Sequence, residues 1–485
     1  MVPRQIPARC SGPLDRRTWL KVGGLSLGAL CAGISPSLAQ TLAARADADF
    51  SVILFWANGG PSHLDTFDLK PGAPAEIRGE FRPIRTNVLG IDICEHMPKL
   101  SRLADKFTIV RSLHHERGEH SGGTHRFLTG HSSLQANLPN SENPEVGAIV
   151  AKHLEHSLPS PLGGEGPGVR GGVPRFVGDT QFYGAGPAYL GRAYAPFMVN
   201  PNNPISASGN NIYDPIPIFP TDDGRAGAVQ LASDSTLRLH YRANLLDHVD
   251  SFRRQAERSG SMETWDRHHR RAVEILSSSR TRDAFDLAKE PTLIRQRYGD
   301  TLWGKSLLTC RRLVEAGSRF VQCQATYRLP QSVGRTSNWD DHSVNAHIFD
   351  AYRLKLPVLD HAMSALIEDL YARGLDRRVL FIFCGEFGRT PRLNNPDPSG
   401  RPGRDHWPRA MSVFLAGGGL RMGQVIGATN PRGEYPTQRP LDSNSLLATI
   451  YRRFGIDLSE HLHDQTGRPI PILPRGEVIR ELVVG

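Results

Sequence analysis

Short apolar runs, bounded by glycine- and proline-rich turns, alternate along the chain with stretches in which apolar residues recur every three or four positions. The apolar runs predict buried strands at 50–56, 107–110, 320–324, 379–384 and 411–416. The helical spacing predicts helices at 97–106, 301–316, 346–373 and 441–454. Strands that alternate with helices in this order indicate parallel βαβ units, the building blocks of an α/β fold.

The first 39 residues predict a targeting segment. Asp15–Lys21 contains a twin-arginine signature, residues 22–32 are weakly apolar, and Ser37–Ala39 is a small-x-small cleavage site. The apolar part is shorter than the roughly 20 residues that a stable membrane span needs. We therefore expect a twin-arginine signal peptide at 1–39 that is recognised by the Tat export machinery, with a retained signal anchor as the alternative. The exported chain would then lie in the periplasm or the cell envelope.

Residues 40–485 are expected to form a single domain with two insertions. Ser157–Gly172 consists almost entirely of proline, glycine, serine and charged residues, which is typical of a flexible insert. The segment at about 233–287 is polar, rich in arginine and helical in its pattern, and we interpret it as a helical insertion.

Composition limits the classes of function. Charged residues make up 22% of the chain and apolar residues 39%, which is typical of a soluble globular protein. The formal charge of +9 falls to +5 without the first 39 residues, and no dense basic cluster follows, so nucleic-acid binding is not expected. None of the six cysteines forms a CxxC pair, which excludes zinc-ribbon and redox motifs of that kind.

Acidic and basic side chains directly follow the predicted strand at 379–384. Glu386 and Arg389 lie in a glycine-rich turn, and Asp405 and His406 follow a loop rich in proline, glycine and asparagine. Ligands of open α/β sheets bind where loops leave the carboxyl ends of the strands. These residues predict a place for a metal ion and an anionic group, with Arg389 offering a planar fork of donors. An internal ion pair between Glu386 and Arg389 is the structural alternative.

Two further clusters suit metal chemistry. His63 and Asp65 follow the first predicted strand and a glycine turn, where Asp65 could instead cap the next segment. Asp340, Asp341 and His342 precede the long predicted helix, and two carboxylates so close to an imidazole suit a divalent ion. The alternative is that Asp341 caps a helix and His342 is exposed.

The segment before residue 131 is dense in histidine. Five histidines fall within the 18 residues from 114 to 131, and a helix is expected to begin near Gly122. Histidine is the commonest metal ligand and a ready general acid or base. No spacing here matches a zinc helix such as HExxH, and a solvated loop is the alternative.

Long strings of this chain resemble an exported bacterial family called domain of unknown function 1501. Besides the twin-arginine signal they are GGPSHLDTFDLKP (59–71), RGEFRPI (78–84), WDDH (339–342), LDHAMSALIEDL (359–370), GEFGRTPRLN (385–394), GRDHWPRAMSVFLAGGG (403–419) and GATNPRGEYP (427–436). That family resembles the alkaline phosphatase and sulfatase superfamily. The resemblance implies an α/β fold with a central, mostly parallel sheet, helices on both faces and divalent metals at the carboxyl ends of the strands.

The resemblance also implies a nucleophile at the start of a helix. In the superfamily, transfer goes through an esterified serine, threonine or formylglycine beside the metals. Leu128–Gly130 resembles a string that follows the nucleophile helix of sulfatases, and the same interval counted back reaches His120. Ser121 is the next residue, and Thr124 lies close by.

The chain departs from the superfamily pattern at several metal positions. Asn58 ends the first predicted strand, where the superfamily has an aspartate, and Asp340 and His342 are separated by one residue instead of three. Glu386 stands where an aspartate followed by histidine is expected. Only His406 corresponds directly to the last histidine of the pattern.

We therefore expect an exported metal-dependent hydrolase of phosphate or sulfate esters, acting on an anionic ester such as a polysaccharide or a small molecule. The expected ligands of zinc, calcium or manganese are His63, Asp65, Asp340, His342, Glu386, Asp405 and His406. His120, Ser121 or Thr124 would supply the nucleophile or transfer protons, and Arg389 would hold the anionic oxygens. The alternatives are a catalytically inactive binding or structural protein of the envelope, and a lyase or phosphonate-type hydrolase on the same fold.

Overall fold

The computed structural model describes residues 49–483 apart from 136, 138–139, 157–168, 171–172, 181, 199–277, 336–337 and 396–399. The expected signal peptide at 1–39 and nearly all of the expected insertions at 157–172 and 233–287 lie outside the described residues. The end of the second insertion is described and contains the helix Ser279–Phe285. Within the described ranges, no helix has the length and apolar character needed to cross a membrane.

An eight-stranded sheet forms the centre of the described part. Its strands are β1 (Ser51–Trp56), β2 (Phe107–Leu113), β3 (Phe176–Gly178), β4 (Phe197–Met198), β5 (Phe320–Gln324), β6 (Val379–Cys384), β7 (Met411–Gly417) and β8 (Gln424–Ile426). They are hydrogen-bonded in the order β8-β2-β7-β6-β1-β5-β3-β4. Strand β7 is antiparallel to both of its neighbours, and the other pairings of this sheet are parallel. The predicted α/β class with a mostly parallel central sheet is confirmed.

The α-helices of seven or more residues in the described ranges are α1 (His120–Thr129), α2 (Val146–His156), α3 (Ser279–Phe285), α4 (Thr292–Tyr298), α5 (Leu302–Ala316), α6 (Ile348–Ala372) and α7 (Ser443–Phe454). Two shorter α-helices in the same ranges span Ala75–Arg78 and Arg480–Val483, and 3-10 helices span His63–Asp65, Leu100–Lys106, Ala188–Leu190, Arg192–Tyr194 and Leu287–Lys289. Two-stranded ladders join Pro83–Arg85 to Asp92–Cys94, Val169–Arg170 to Val173–Pro174, Gly388–Arg389 to His406–Trp407, Ala428–Thr429 to Pro436–Gln438 and His461–His463 to Pro469–Pro471.

Local capping explains where the predicted helices begin and end. The Thr301 side chain accepts a hydrogen bond from the Gly304 amide at the start of α5, and Gly317 ends that helix at φ +119°. Asp442 caps α7 in the same way. The predicted helix at 97–106 is instead a 3-10 element at Leu100–Lys106, and it is kinked at Leu103, which has non-helical backbone angles.

The helices pack on both faces of the sheet. Successive strand residues point to opposite faces, so the apolar run of β1 is divided between two cores. Ile53 and Phe55 belong to a core that contains residues of α5 and α6. Val52, Leu54 and Trp56 belong to a second core, built with residues of α1, α2 and α7. This burial on both faces explains why the strand shows no polar alternation.

The carboxyl ends of four strands lie at one edge of the sheet. Trp56 at the end of β1 pairs in register with Cys384 of β6 and with Gln324 of β5. Strand β2 is two antiparallel pairings away from β6 and therefore points in the same direction. The loops that follow β1, β2, β5 and β6 consequently leave the sheet at the same edge.

Candidate metal centre

Asp340 lies at the centre of a cluster of three histidines at this edge. His342 Nε2 and His406 Nε2 each lie 2.9 Å from Asp340 Oδ1. His120 Nε2 lies 3.4 Å from Asp340 Oδ2. The loops after β2, β5 and β6 contribute these residues, so positions far apart in the sequence meet in one place.

An oxygen atom orients each of the three imidazole rings at Nδ1. The pairs are His120 with Glu386 Oε1 at 2.7 Å, His342 with Asp405 Oδ1 at 2.6 Å and His406 with the carbonyl oxygen of Gly118 at 2.7 Å. An acceptor at Nδ1 favours the proton on that nitrogen and leaves Nε2 to bind a metal. Three Nε2 atoms and the Asp340 carboxylate therefore face one another.

This donor set fits a divalent metal ion. The ligand atoms of His120, Asp340 and His406 lie within 4.8 Å of one another. An ion bound tetrahedrally at zinc–nitrogen distances holds its ligand atoms about 3.3 Å apart. The two histidine contacts with Asp340 in this set measure 3.4 Å and 2.9 Å. Two imidazole nitrogens and a carboxylate suit zinc or manganese better than calcium, which takes oxygen ligands.

The charge of Asp340 also suits a metal ligand. Burial opposes its ionisation, but the Arg389 guanidinium and the contacts with the three imidazole rings outweigh this effect and hold the pKa of the carboxyl well below its usual range. Arg389 Nη2 lies 2.7 Å from Asp340 Oδ1. Asn345 Nδ2 donates to the Asp340 backbone carbonyl at 3.0 Å. Asp340 is thus a fixed anion at neutral pH.

The histidines differ in charge because their surroundings differ. Burial lowers the pKa of His120, but its contacts with Asp340 and Glu386 outweigh burial and raise the pKa to about 9. Burial also lowers the pKa of His406, to about 4, since the hydrogen bond to Asp340 only partly opposes it and Arg389 adds to it. The proton on His120 offsets part of the negative charge of the Asp340 and Glu386 carboxylates. A bound cation would have the same effect.

Arg389 is fully buried and ties the loops of the site together. Its guanidinium donates to the carbonyl oxygens of Gly59, Gly60, Trp339 and Arg404 and to the carboxylate of Asp340. Its side chain is 0% exposed. The sequence led us to expect that Arg389 holds an anionic substrate, but the side chain is fully buried and each of its three nitrogens already donates to the protein. Arg389 positions Asp340 and the turn after β1.

Glu386 does not form the ion pair with Arg389 that we considered from the sequence. Its Oε1 accepts a hydrogen bond from the Gly59 amide at 2.7 Å in addition to its contact with His120. Its Oε2 is buried without a hydrogen-bond partner among the described residues. Glu386 therefore orients an imidazole and adds negative charge beside the cluster.

The glycine turn after β1 allows these loops to approach closely. Gly59 has φ +100°, and a Cβ at this position would lie 2.5 Å from the Asp340 amide nitrogen. Gly60 has φ +76°, and its Cβ would lie 2.3 Å from the Phe387 carbonyl oxygen. Any other residue would displace the loops that carry Asp340 and Glu386.

The structure does not bring His63 and Asp65 to the cluster. His63 Nε2 lies 2.8 Å from the carbonyl oxygen of Gly433. Asp65 forms an ion pair with Arg404 at 2.7 Å, and both side chains are 0% exposed. The two expected ligands thus serve buried contacts on the far side of the glycine turn.

Ser121 and Thr124 are buried in α1, the helix that begins with His120. A Cβ on Gly123 would lie 3.1 Å from the Phe387 ring and 3.3 Å from Glu386, so this face of α1 packs on the loop after β6. Thr124 follows His120 by four residues and shares its face, whereas Ser121 is turned about 100° away.

Sequence reasoning missed three groups that support the cluster. They are Asn345, the carbonyl of Gly118, and Asn394, whose amide donates to Asp405. Asn345 follows His342 by three residues, which is the one local signal. A backbone carbonyl gives no signal in a sequence at all.

Fold and site together define an α/β protein with a candidate histidine–aspartate metal centre at the carboxyl edge of its sheet. The chain belongs to the family described as protein of unknown function (DUF1501), whose model matches residues 49–483. No curated protein matches the chain.

Several solved structures are similar to this chain over most of its length. They include the PsFucS1 sulfatase from Pseudoalteromonas sp., with 12% identity over 87% of this chain and 72% of that chain and a TM-score of 0.35. The C-terminal periplasmic domain of EcEptC from Escherichia coli, in complex with Zn, has 10% identity over 85% and 84% and a TM-score of 0.33. Phosphonate monoester hydrolase SpPMH from Silicibacter pomeroyi has 11% identity over 88% and 75% and a TM-score of 0.34. These TM-scores are too low to support an argument about activity.

Proposed function

We propose that this protein is an exported metal-dependent hydrolase of phosphate or sulfate esters. The observation that carries the proposal is the convergence of three imidazole Nε2 atoms on Asp340, each ring being oriented by an oxygen at Nδ1. The Nε2 atoms of His342 and His406 lie 3.0 Å apart on one carboxylate oxygen. A cation bound between these two nitrogens would replace their close contact with two favourable metal–nitrogen contacts.

The ion would be held by His120, Asp340 and His406, with His342 as a further donor. When bound, a divalent ion supplies Lewis-acid polarisation of an ester oxygen. Glu386 and Asp405 fix the rings that bind it, and Arg389 fixes Asp340.

The protein itself offers a positive environment for an anionic ester. Helix α1 begins at His120, so its first-turn amides and the positive end of its dipole lie beside the cluster. The side chains of His342 and His406 are 21% and 23% exposed, whereas those of His120 and Asp340 are more deeply buried. A substrate would therefore approach from the side of His342 and His406.

We place the nucleophile among the hydroxyl groups of α1, because His120 belongs to the metal cluster. Thr124 is the better candidate, since it lies one turn after His120 on the same face. Ser121 is the second candidate. Either hydroxyl would form an ester with the transferred group and release the alcohol, and water would then cleave that ester.

The twin-arginine pattern of the first 39 residues supports export through the Tat machinery to the periplasm or the cell envelope. Replacing both arginines, Arg16→Lys/Arg17→Lys, is expected to leave the protein in the cytoplasm of its native host. Cell fractionation with antibody detection measures this. The same distribution for the wild-type and variant proteins would contradict Tat export.

A panel of aryl phosphate and aryl sulfate esters tests the activity. The metal-loaded wild-type protein is expected to hydrolyse at least one ester class. The double variant Asp340→Asn/His342→Gln is expected to lose about 1,000-fold or more of that rate, since a charged ligand and an imidazole are both removed. Thr124→Ala and Ser121→Ala, assayed beside it, identify the nucleophile.

Equal rates for the wild-type protein and the double variant would contradict the proposal. A well-folded wild-type protein that binds metal and cleaves no ester would favour a catalytically inactive binding protein of the envelope. Circular dichroism of each variant shows whether it has folded.

A further inference from the structure

A groove lies beside Asp405, the residue that contacts His342 of the candidate metal centre. It has a volume of about 1000 Å³ and is lined by residues of three segments, 390–395, 405–409 and 432–435. One of its lining residues is Asp405, which also holds the ring of His342. Asp405 is therefore the residue that the groove shares with the surroundings of the cluster around Asp340. We call this groove the arginine–aromatic groove.

The backbone links the groove directly to a proposed metal ligand. His406 and Trp407 are successive residues of a short strand that pairs with Gly388–Arg389. Successive side chains of a strand point to opposite sides, so His406 faces Asp340 while Trp407 lines the groove. The indole Nε1 of Trp407 donates to the carbonyl oxygen of Glu434 at 2.7 Å and fixes the ring.

The groove presents positive charge that the described residues do not neutralise. Arg432 is paired with Glu434 at 2.9 Å. Arg392 and Arg409 are exposed and line the same groove, and neither has a carboxylate partner among the described residues. The Arg409 guanidinium lies over the Trp407 ring at 5.6 Å from its centre. Two planar cations are thus available to anionic groups of a ligand.

The rest of the lining is suited to a polyhydroxylated ligand with flat apolar faces. Trp407 is half-buried with its polar edge already satisfied, and Tyr435 is 52% exposed, so both can offer a ring face. Asn395 also lines the groove and its side chain is exposed. Hydroxyl groups of a ligand can hydrogen-bond to such an amide, whereas an aliphatic ligand would leave it unpaired.

We propose that the arginine–aromatic groove binds an anionic saccharide, that is, a sugar chain carrying sulfate or phosphate esters. Its sugar rings lie on Trp407 and Tyr435, and its anionic groups pair with Arg392 and Arg409. One ester of the chain then reaches the cluster around Asp340 past Asp405. This inference names the substrate class of the proposed hydrolase and so rests on that function.

Binding to oligosaccharides of dextran sulfate tests the proposal, measured by titration calorimetry with the metal-loaded full-length chain. The wild-type protein is expected to bind the sulfated oligosaccharide and not neutral dextran of the same length. Arg392→Gln/Arg409→Gln is expected to weaken binding about tenfold or more, the size expected when two charge-assisted contacts are lost. Tyr435→Ala is expected to weaken binding of the sugar chain without changing metal content.

Matched controls separate the groove from general charge attraction. Arg102 and Arg452 are also exposed and lie in elements away from the groove, so Arg102→Gln/Arg452→Gln makes the same change in net charge. Equal weakening by both double variants would overturn the proposal. So would affinity for inorganic polyphosphate or polyglutamate equal to that for dextran sulfate, because either ligand lacks sugar rings.

Saccharide binding and ester hydrolysis can be measured separately. In the Asp340→Asn/His342→Gln background, which is expected to lose aryl ester hydrolysis, Arg392→Gln/Arg409→Gln is still expected to weaken binding of dextran sulfate. A wild-type protein that binds dextran sulfate through Arg392 and Arg409 but cleaves no ester would refute the hydrolase function and would still support saccharide binding in the groove. A protein that cleaves aryl esters but does not bind dextran sulfate would refute saccharide binding in the groove and would not contradict the hydrolase function.

Discussion

Asp340→Asn is expected to lower the affinity for zinc or manganese by more than about 100-fold, because loss of an outer partner alone costs about 10–100-fold. Asparagine keeps the shape of the side chain and can still accept a hydrogen bond from Arg389. It removes the negative charge on which the three histidines converge. Titration calorimetry of metal-free protein gives the dissociation constants.

Two further variants give reference values for the change in metal affinity. Asp405→Asn weakens an outer contact to His342 and is expected to cost about 10-fold to 100-fold. Asp92→Asn changes an exposed aspartate elsewhere and is expected to have no effect. Affinities that are the same for all three variants would show that metal binds at some other place.

Asp341→Ala is expected to lower the free energy of unfolding by about 3–5 kcal/mol, the cost of leaving a buried charge without its partner. Lys355 Nζ lies 2.8 Å from Asp341 Oδ1, and both side chains are 0% exposed. This ion pair connects α6 to the loop that contains Asp340. Urea denaturation followed by circular dichroism measures the change.

The control breaks an exposed ion pair of the same kind. Glu80 and Arg353 are about half exposed, so Glu80→Ala is expected to cost no more than about 1 kcal/mol. The double variant Asp341→Leu/Lys355→Met removes both buried charges and should recover much of the lost stability. If Asp341→Ala were no more destabilising than Glu80→Ala, the buried pair would not anchor the loop.

The strands and helices of the sheet could be predicted because their signals are local. The buried run of β6 needs no partner to be identified, and Thr301 and Gly317 mark the ends of α5 by their own chemistry. The antiparallel direction of β7 was not predicted, since an apolar run does not record its direction. A parallel β6–β7 pair would need a crossover connection, which usually contains a helix. The sequence between β6 and β7 lacks a helical pattern, and this was the one sign of the antiparallel direction.

The site was predicted in outline but not in its contacts. From the sequence we expected His120, Asp340, His342 and His406 at one edge of the sheet, because the loops that follow parallel strands meet there. It could not show that Arg389 is enclosed by backbone carbonyls, or that Asp65 pairs with Arg404. Such partners are set by tertiary packing between distant segments. For the same reason, His120 was expected to act as a nucleophile or proton carrier and lies instead among the candidate metal ligands.

Anomalous diffraction from a crystal of the zinc- or manganese-loaded protein shows whether His120, Asp340 and His406 hold a metal ion. We expect one strong peak within about 2.0–2.2 Å of His120 Nε2, His406 Nε2 and an Asp340 carboxylate oxygen. A metal peak bound elsewhere, with these three side chains holding only one another, would contradict this expectation.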